Sequence, residues 1–205
     1  MAFTDFNSQS EVQKKYNIRY LEGSFLQFTP IPPSEIFVQE FEFSKTHFDI
    51  FNSEASRCEN IIYPVLREVC KKFVENYSLW SHQSISADST LSGVPDYMVA
   101  KRSELGVNIV GAPLVLIAEA KQNNFAKGWG QCLAELVASQ IINDNTERPV
   151  YGIVTDGEMW HFGKLEQKLF TKDETRATID NLDTLFGALY KIMELATLQH
   201  EEREP

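Results

Sequence analysis

The sequence predicts an α/β chain of the α+β kind, a mixed β-sheet flanked by helices. Three observations predict it. Apolar runs of strand length recur between residues 79 and 163. Segments with helical spacing stand before, between and after them. The strand expected at 112–121 is separated by a helix from the next, at 149–155, which implies a parallel pair with a right-handed crossover. The shorter links within 79–121 imply an antiparallel meander.

Residues 1–50 are expected to form a β-rich arm. IRYLEGSFLQF (18–28) suggests a hairpin around Glu22-Gly23, TPIPPSE (29–35) breaks it, and IFVQEFEF (36–43) alternates like an edge strand. A helix then starts at Ser53, a good N-cap. Its residues Ile61, Ile62, Val65, Leu66, Val69 and Phe73 form one stripe at about 100° per residue. Glu54 and Glu59 flank that stripe, roughly 60° and 80° from its centre, with Glu54 the nearer. Pro64 should kink this helix or mark a shifted start.

Strands are expected at LWSHQSIS (79–86), DYMVAKR (96–102), APLVLIAEAK (112–121), PVYGIVT (149–155) and EMWHFG (158–163). The last two are joined by the two-residue turn Asp156-Gly157. The helix at about 126–143 is apolar on two sides, as burial against a sheet requires. A final helix spans about 180–200. The expected division is therefore an arm at 1–50, a core at 51–165, and a C-terminal strand and helix at 166–205 packing on that core.

Composition narrows the function classes. With 205 residues, 43% of them hydrophobic, the chain can build a sizeable core. Its net charge of -10 opposes general binding of nucleic acid, but the charge is uneven. Residues 1–50 carry 4 basic and 7 acidic groups, whereas residues 51–125 carry 7 and 8. A polyanion therefore meets the middle of the chain more easily than its start. Cys58, Cys70 and Cys132 are odd in number and lack CxxC spacing, which argues against a disulfide scaffold or structural zinc. No signal-peptide pattern or membrane-length apolar run is present, so a soluble, cytoplasmic protein without a membrane partner is expected. AKGWG (126–130) lacks the spacing of a phosphate-binding loop.

The chemistry concentrates where LVLIAEAKQ (114–122) runs from an apolar strand into charge. Glu119 and Lys121 alternate with Ala120, so both point to one side of the strand. Asp96 starts the expected neighbouring strand and can lie beside Glu119. Two close carboxylates raise each other's pKa, and a divalent cation relieves that repulsion. Mg²⁺ takes oxygen ligands such as these, together with waters and phosphate. A nearby ammonium completes a set suited to phosphodiester hydrolysis.

These residues, "PD" at 95–96 and "EAK" at 119–121 on strands preceded by an acidic helix, resemble the PD-(D/E)XK nucleases of the restriction-endonuclease-like superfamily. The resemblance runs from residue 52 to about 163 and includes small bacterial proteins of unassigned role. It implies a restriction-endonuclease-like mixed sheet and Mg²⁺- or Mn²⁺-dependent hydrolysis of DNA. It implies Asp96 and Glu119 as metal ligands with the Ala120 carbonyl as a third. Lys121 would position the attacking water, Glu54 or Glu59 would supply a helix acid, and Gln131 matches a glutamine often found in the following helix. Some relatives carry Tyr four residues after that glutamine; this chain has Glu135. One such site cuts one strand at a time, so a homodimer through the aromatic arm is one route to cutting both. The alternative function is a nuclease-fold module that binds or assembles without cutting.

Overall fold

The computed structural model describes residues 2–122 and 124–201. Its elements are α1 (Gln9–Tyr16), β1 (Arg19–Gly23), α2 (Glu35–His47), α3 (Glu54–Arg57), α4 (Tyr63–Cys70), β2 (Tyr77–Ser81), β3 (Ile85–Ser86), β4 (Ser92–Gly93), β5 (Tyr97–Arg102), β6 (Val110–Ala120), α5 (Phe125–Ile142), β7 (Val150–Thr155), β8 (Met159–Glu166), β9 (Leu169–Thr178) and α6 (Leu182–Glu201). Seven strands form one sheet in the order β1-β9-β8-β7-β6-β5-β2, while β3 and β4 pair separately. The expected meander is present as antiparallel β2–β5 and β5–β6 pairs. The crossover through α5 makes β6 and β7 parallel, and β7 turns antiparallel into β8.

Each face of the sheet carries its own core, so the molecule has three layers. On one face Val65, Leu66 and Val69 of α4 and Leu185, Phe186 and Leu189 of α6 pack with Val99, Val115, Ile153 and Phe162. On the other, Trp129, Cys132, Leu133 and Leu136 of α5 pack with Met98, Leu114, Ile117 and Val154. Phe6 and Val12 from the start of the chain join this second core. Gly130 makes that junction close, because a Cβ there would stand 2.8 Å from the Ser8 nitrogen. Cys58, Cys70 and Cys132 are all buried and unbonded. Among the described residues, no helix is long and apolar enough to cross a membrane.

The expectation of a β-rich arm is corrected. IFVQEFEF lies in helix α2, where the Ser34 side chain caps the Phe37 N–H at 3.2 Å. Phe37 and Phe41, one turn apart, stack with centroids 5.6 Å apart, and Phe37 meets Phe186 of α6 edge-on at 5.0 Å. The helical i, i+4 pair thus prevails over a coincidental alternation. The expected hairpin at 18–28 is also absent: β1 pairs in parallel with β9 instead. Beyond Gly23, the Phe25 and Leu26 N–H groups donate to the Asp173 carboxylate at 2.7 and 2.9 Å, which takes the place of a second strand.

Two further boundaries move. The strand expected at 79–86 breaks after Ser81, where His82 takes a left-handed φ of 48°. The helix beginning after Ser53 is continuous but irregular: α3 passes through a π-helical turn, Cys58–Ile62, into α4. In that turn the Tyr63 N–H reaches back to the Cys58 carbonyl. The wide turn falls directly before Pro64, whose ring would clash with a carbonyl in a regular turn. The C-terminal segment is a strand and a helix, as expected; residues 202–205 of its tail lie outside the described residues.

Candidate active site

The site lies where β5 begins and β6 ends. Because Tyr97 pairs with Ala118 in antiparallel register, Asp96 falls opposite Glu119. The Ala120 N–H donates to Asp96 Oδ2 at 2.8 Å. The opposite side of Ala120 is held by the parallel strand, and the next N–H, Lys121, donates to the Thr155 carbonyl at 2.8 Å. The end of β6 is therefore fixed from both sides, by the Asp96 carboxylate on one and by the β7 backbone on the other.

Lys121 is the hub. Its Nζ lies 3.4 Å from Glu119 Oε1 and 3.6 Å from Glu54 Oε1, and donates to the Ala120 carbonyl at 3.2 Å. Glu54 also accepts the Gln122 N–H at 3.1 Å, so it bridges the start of α3 to the end of β6. Arg57, one turn on, donates to the Asp156 carbonyl and to Glu158, at 2.9 and 2.7 Å, and thereby pins α3 to the β7–β8 turn. Lys121's stem lies over α5 at Gly128, where an added Cβ would come within 3.3 Å of it and 2.6 Å of Val154. A glycine in the first turns of α5 is thus what lets this helix approach the strand end.

The electrostatics follow from burial. Glu119 is 2% exposed, and its pKa is raised by burial first and by the Asp96 carboxylate second. Asp96 is raised by burial, against the opposing Ala120 N–H. Burial alone would depress the Lys121 ammonium, but Glu119, Glu54 and Asp96 together raise it. Cys58, beneath the site, is pushed up to about 11 by burial, and its carbonyl accepts the Tyr97 hydroxyl at 3.2 Å. A cleft of about 510 Å³ opens over Glu54, Glu59, His82, Asp96 and Tyr97. His82 leans on Asp96, Nδ1 to Oδ1 at 3.7 Å.

The sequence-predicted residues therefore divide. Asp96, Glu119, Lys121, Glu54 and the Ala120 carbonyl come together. Glu59 lines the same cleft but is exposed and does not reach Lys121. Gln131 lies on α5 and is buried, not at the surface, with its Oε1 unpartnered among the described residues. One turn further, Glu135 is the residue that sequence reasoning passed over. It is 1% exposed, and its Oε2 has no partner among the described residues. Burial, then Glu119 and Asp96, hold its carboxyl well above the usual range. The available signal was that α5 is apolar on two sides, leaving its only acid little solvated surface to occupy.

The donor set can be tested against a divalent cation. Glu54, Asp96, Glu119 and Glu135 are four carboxyl groups around one ammonium, and Asp96, Glu119 and Glu135 are held toward the neutral form, a strain on ionisation that a bound cation would relieve. Asp96, Glu119 and the Ala120 carbonyl supply hard oxygen donors of the type Mg²⁺ and Mn²⁺ take. Among the described residues, no three His, Cys, Asp or Glu side chains are grouped as a metal-holding cluster. No protein-family model matches this chain, and no curated protein matches it.

Proposed function

We propose that the chain is a divalent-metal-dependent phosphodiesterase that cuts DNA, built on the PD-(D/E)XK core its sequence resembles. The observation that carries this reading is the Lys121 ammonium held between carboxylates of β6 and α3, at 3.4 and 3.6 Å, with Glu54 and Asp96 lining an open cleft. Asp96, Glu119 and the Ala120 carbonyl would hold the metal. A bound divalent cation would polarise the phosphodiester and acidify water. Lys121 orients the attacking water and offsets charge that develops on the phosphate. Glu54 keeps Lys121 in place by pairing with its ammonium through Oε1 while Oε2 accepts the Gln122 N–H.

A second reading, a nuclease-fold module that binds or assembles without cutting, draws on the net charge of -10. Incubation with supercoiled plasmid and Mg²⁺ separates the two. Nicking by the intact chain that Lys121→Ala abolishes is expected. No nicking, or nicking undiminished by Lys121→Ala, counts against the enzyme. Calorimetric titration with Mn²⁺ adds an independent readout, with uptake expected in the intact chain and lost in Asp96→Asn.

A further inference from the structure

A second cleft, of about 420 Å³, adjoins the acidic one. The two share Tyr63 and follow the outer strand β2, the second running past Ser78–Trp80 and the first past Ser81 and His82. Their linings differ in charge. The second carries Arg67, Lys71 and Arg102 and no carboxylate, on a chain whose net charge is -10. Arg67 is exposed and makes no ion pair among the described residues. Arg102 is tied by its Nη1 to the Val74 carbonyl at 2.8 Å, and Lys71 pairs with Glu68.

Tyr63, where the clefts meet, is 38% exposed, and its ring stacks on Tyr97 with centroids 6.1 Å apart. Beside the basic cleft, the loop after β5 exposes Leu105 (82%) and Val107 (76%), and Val107 lines the cleft itself. Cations for phosphates, an aromatic face and open apolar side chains thus lie along a path that ends at Asp96. A duplex keeps its base faces stacked and offers little to such a platform, whereas an unpaired strand presents phosphates and base faces together.

We propose that this basic cleft and Tyr63 form the track of a single, unpaired nucleic-acid strand, delivering it along β2 to the acidic cleft. The direction of delivery rests on the nuclease reading; the binding itself does not. Arg67, Lys71 and Arg102 take successive phosphates, and Tyr63 stacks with a base next to the bond presented to Lys121.

The test is fluorescence anisotropy on the full chain without divalent metal, using a labelled oligothymidylate and a labelled duplex of equal length. The single strand is expected to bind more tightly. Tyr63→Leu should weaken it about tenfold, the scale of one lost base–aromatic stack. Arg67→Ala should reduce the salt dependence by about 0.7 in the slope of log affinity against log salt. Arg67 is exposed, so this variant folds even if Tyr63→Leu does not. Preference for the duplex, or wild-type affinity in both Tyr63→Leu and Arg67→Ala, would overturn the track. Failure to cut both plasmid and single-stranded DNA in Mg²⁺ would overturn the nuclease reading and leave this result standing.

Discussion

Glu119 and His161 sit in one row of the sheet, on one face and two strands apart, with Val154 between them. At about 4.8 Å per strand their backbones are roughly 10 Å apart. Both are buried, and burial pushes both toward the neutral form, but their neighbours differ. Glu119 has an ammonium at 3.4 Å and other carboxylates around it. The His161 ring lies on Phe125, 4.4 Å between centroids, and neither ring nitrogen has a partner among the described residues. Its pKa is pushed down to about 4, by burial first and by Lys172 and Arg176 next, so it stays neutral. Burial thus favours the neutral form at both, raising Glu119 to about 8 and lowering His161. At Glu119 the Lys121 ammonium opposes that shift while the acid groups around it reinforce it; the cations near His161 only reinforce its shift.

Lys121 is where the comparison breaks most sharply. Lys121→Met removes the ammonium and keeps most of the stem that packs over Gly128. Under the proposed function, plasmid nicking should fall about 10²–10³-fold, the usual cost of losing one group that stabilises developing charge. A residual rate near wild type would make Lys121 a structural counter-ion only, and Glu119 would then resemble His161 more than a catalytic position. Lys121→Arg should not restore the rate, because a planar fork replaces a point charge that fits between Glu54 and Glu119.

Gly128 sharpens the comparison from the other side, since it faces Val154, the residue between the two positions. An added Cβ at 2.6 Å from Val154 Cγ1 must push α5 from the sheet or shift the Val154 side chain, and it crowds the Lys121 stem at 3.3 Å. Gly128→Ala should therefore cost about 1–3 kcal/mol of stability, the range for overpacking, measured by urea denaturation. Gain of stability, as expected for Gly→Ala in an open helix, would show that α5 is not seated as closely as this.

Much of this arrangement was legible because its signals are local. The apolar run ending in Glu119 and Lys121, the crossover length and the Asp156-Gly157 turn each reside within a few residues. What was not legible depends on distant partners. Nothing in residues 36–43 announces Phe186, against which Phe37 turns a seeming strand into a helix. Nothing in 18–28 announces Asp173, whose carboxylate takes two N–H groups that a hairpin would have used. The sequence left Glu54 and Glu59 both open, with Glu54 the nearer to the stripe, and it is Glu54 that reaches Lys121; a closer reading was blocked for a geometric reason. A projection at about 100° per residue assumes a regular helix, and the π turn at Cys58–Ile62 changes the phase between them. Glu135 was missed because a single acid on an apolar helix reads as a surface residue until the sheet is placed beneath it.

His161 gives the smallest expected effect and the cleanest sign. Its folded pKa, about 4, lies below the ordinary value of 6.5. Between those two values the unfolded chain binds the proton that the folded chain refuses, so unfolding gains free energy as pH falls. The contribution is complete above about pH 6.5 and is lost progressively toward pH 4. The full shift would correspond to roughly 3 kcal/mol, and solvent near the half-open Lys172 and exposed Arg176 reduces it to about 1–2 kcal/mol. His161→Phe keeps the stack on Phe125 and removes the titration. The difference in urea-derived stability between wild type and His161→Phe should therefore change by that amount from pH 7 to pH 4.5, to the disadvantage of wild type at the acid end. A difference constant across this range would mean that His161 is already protonated or already partnered, and the contrast with Glu119 would fail.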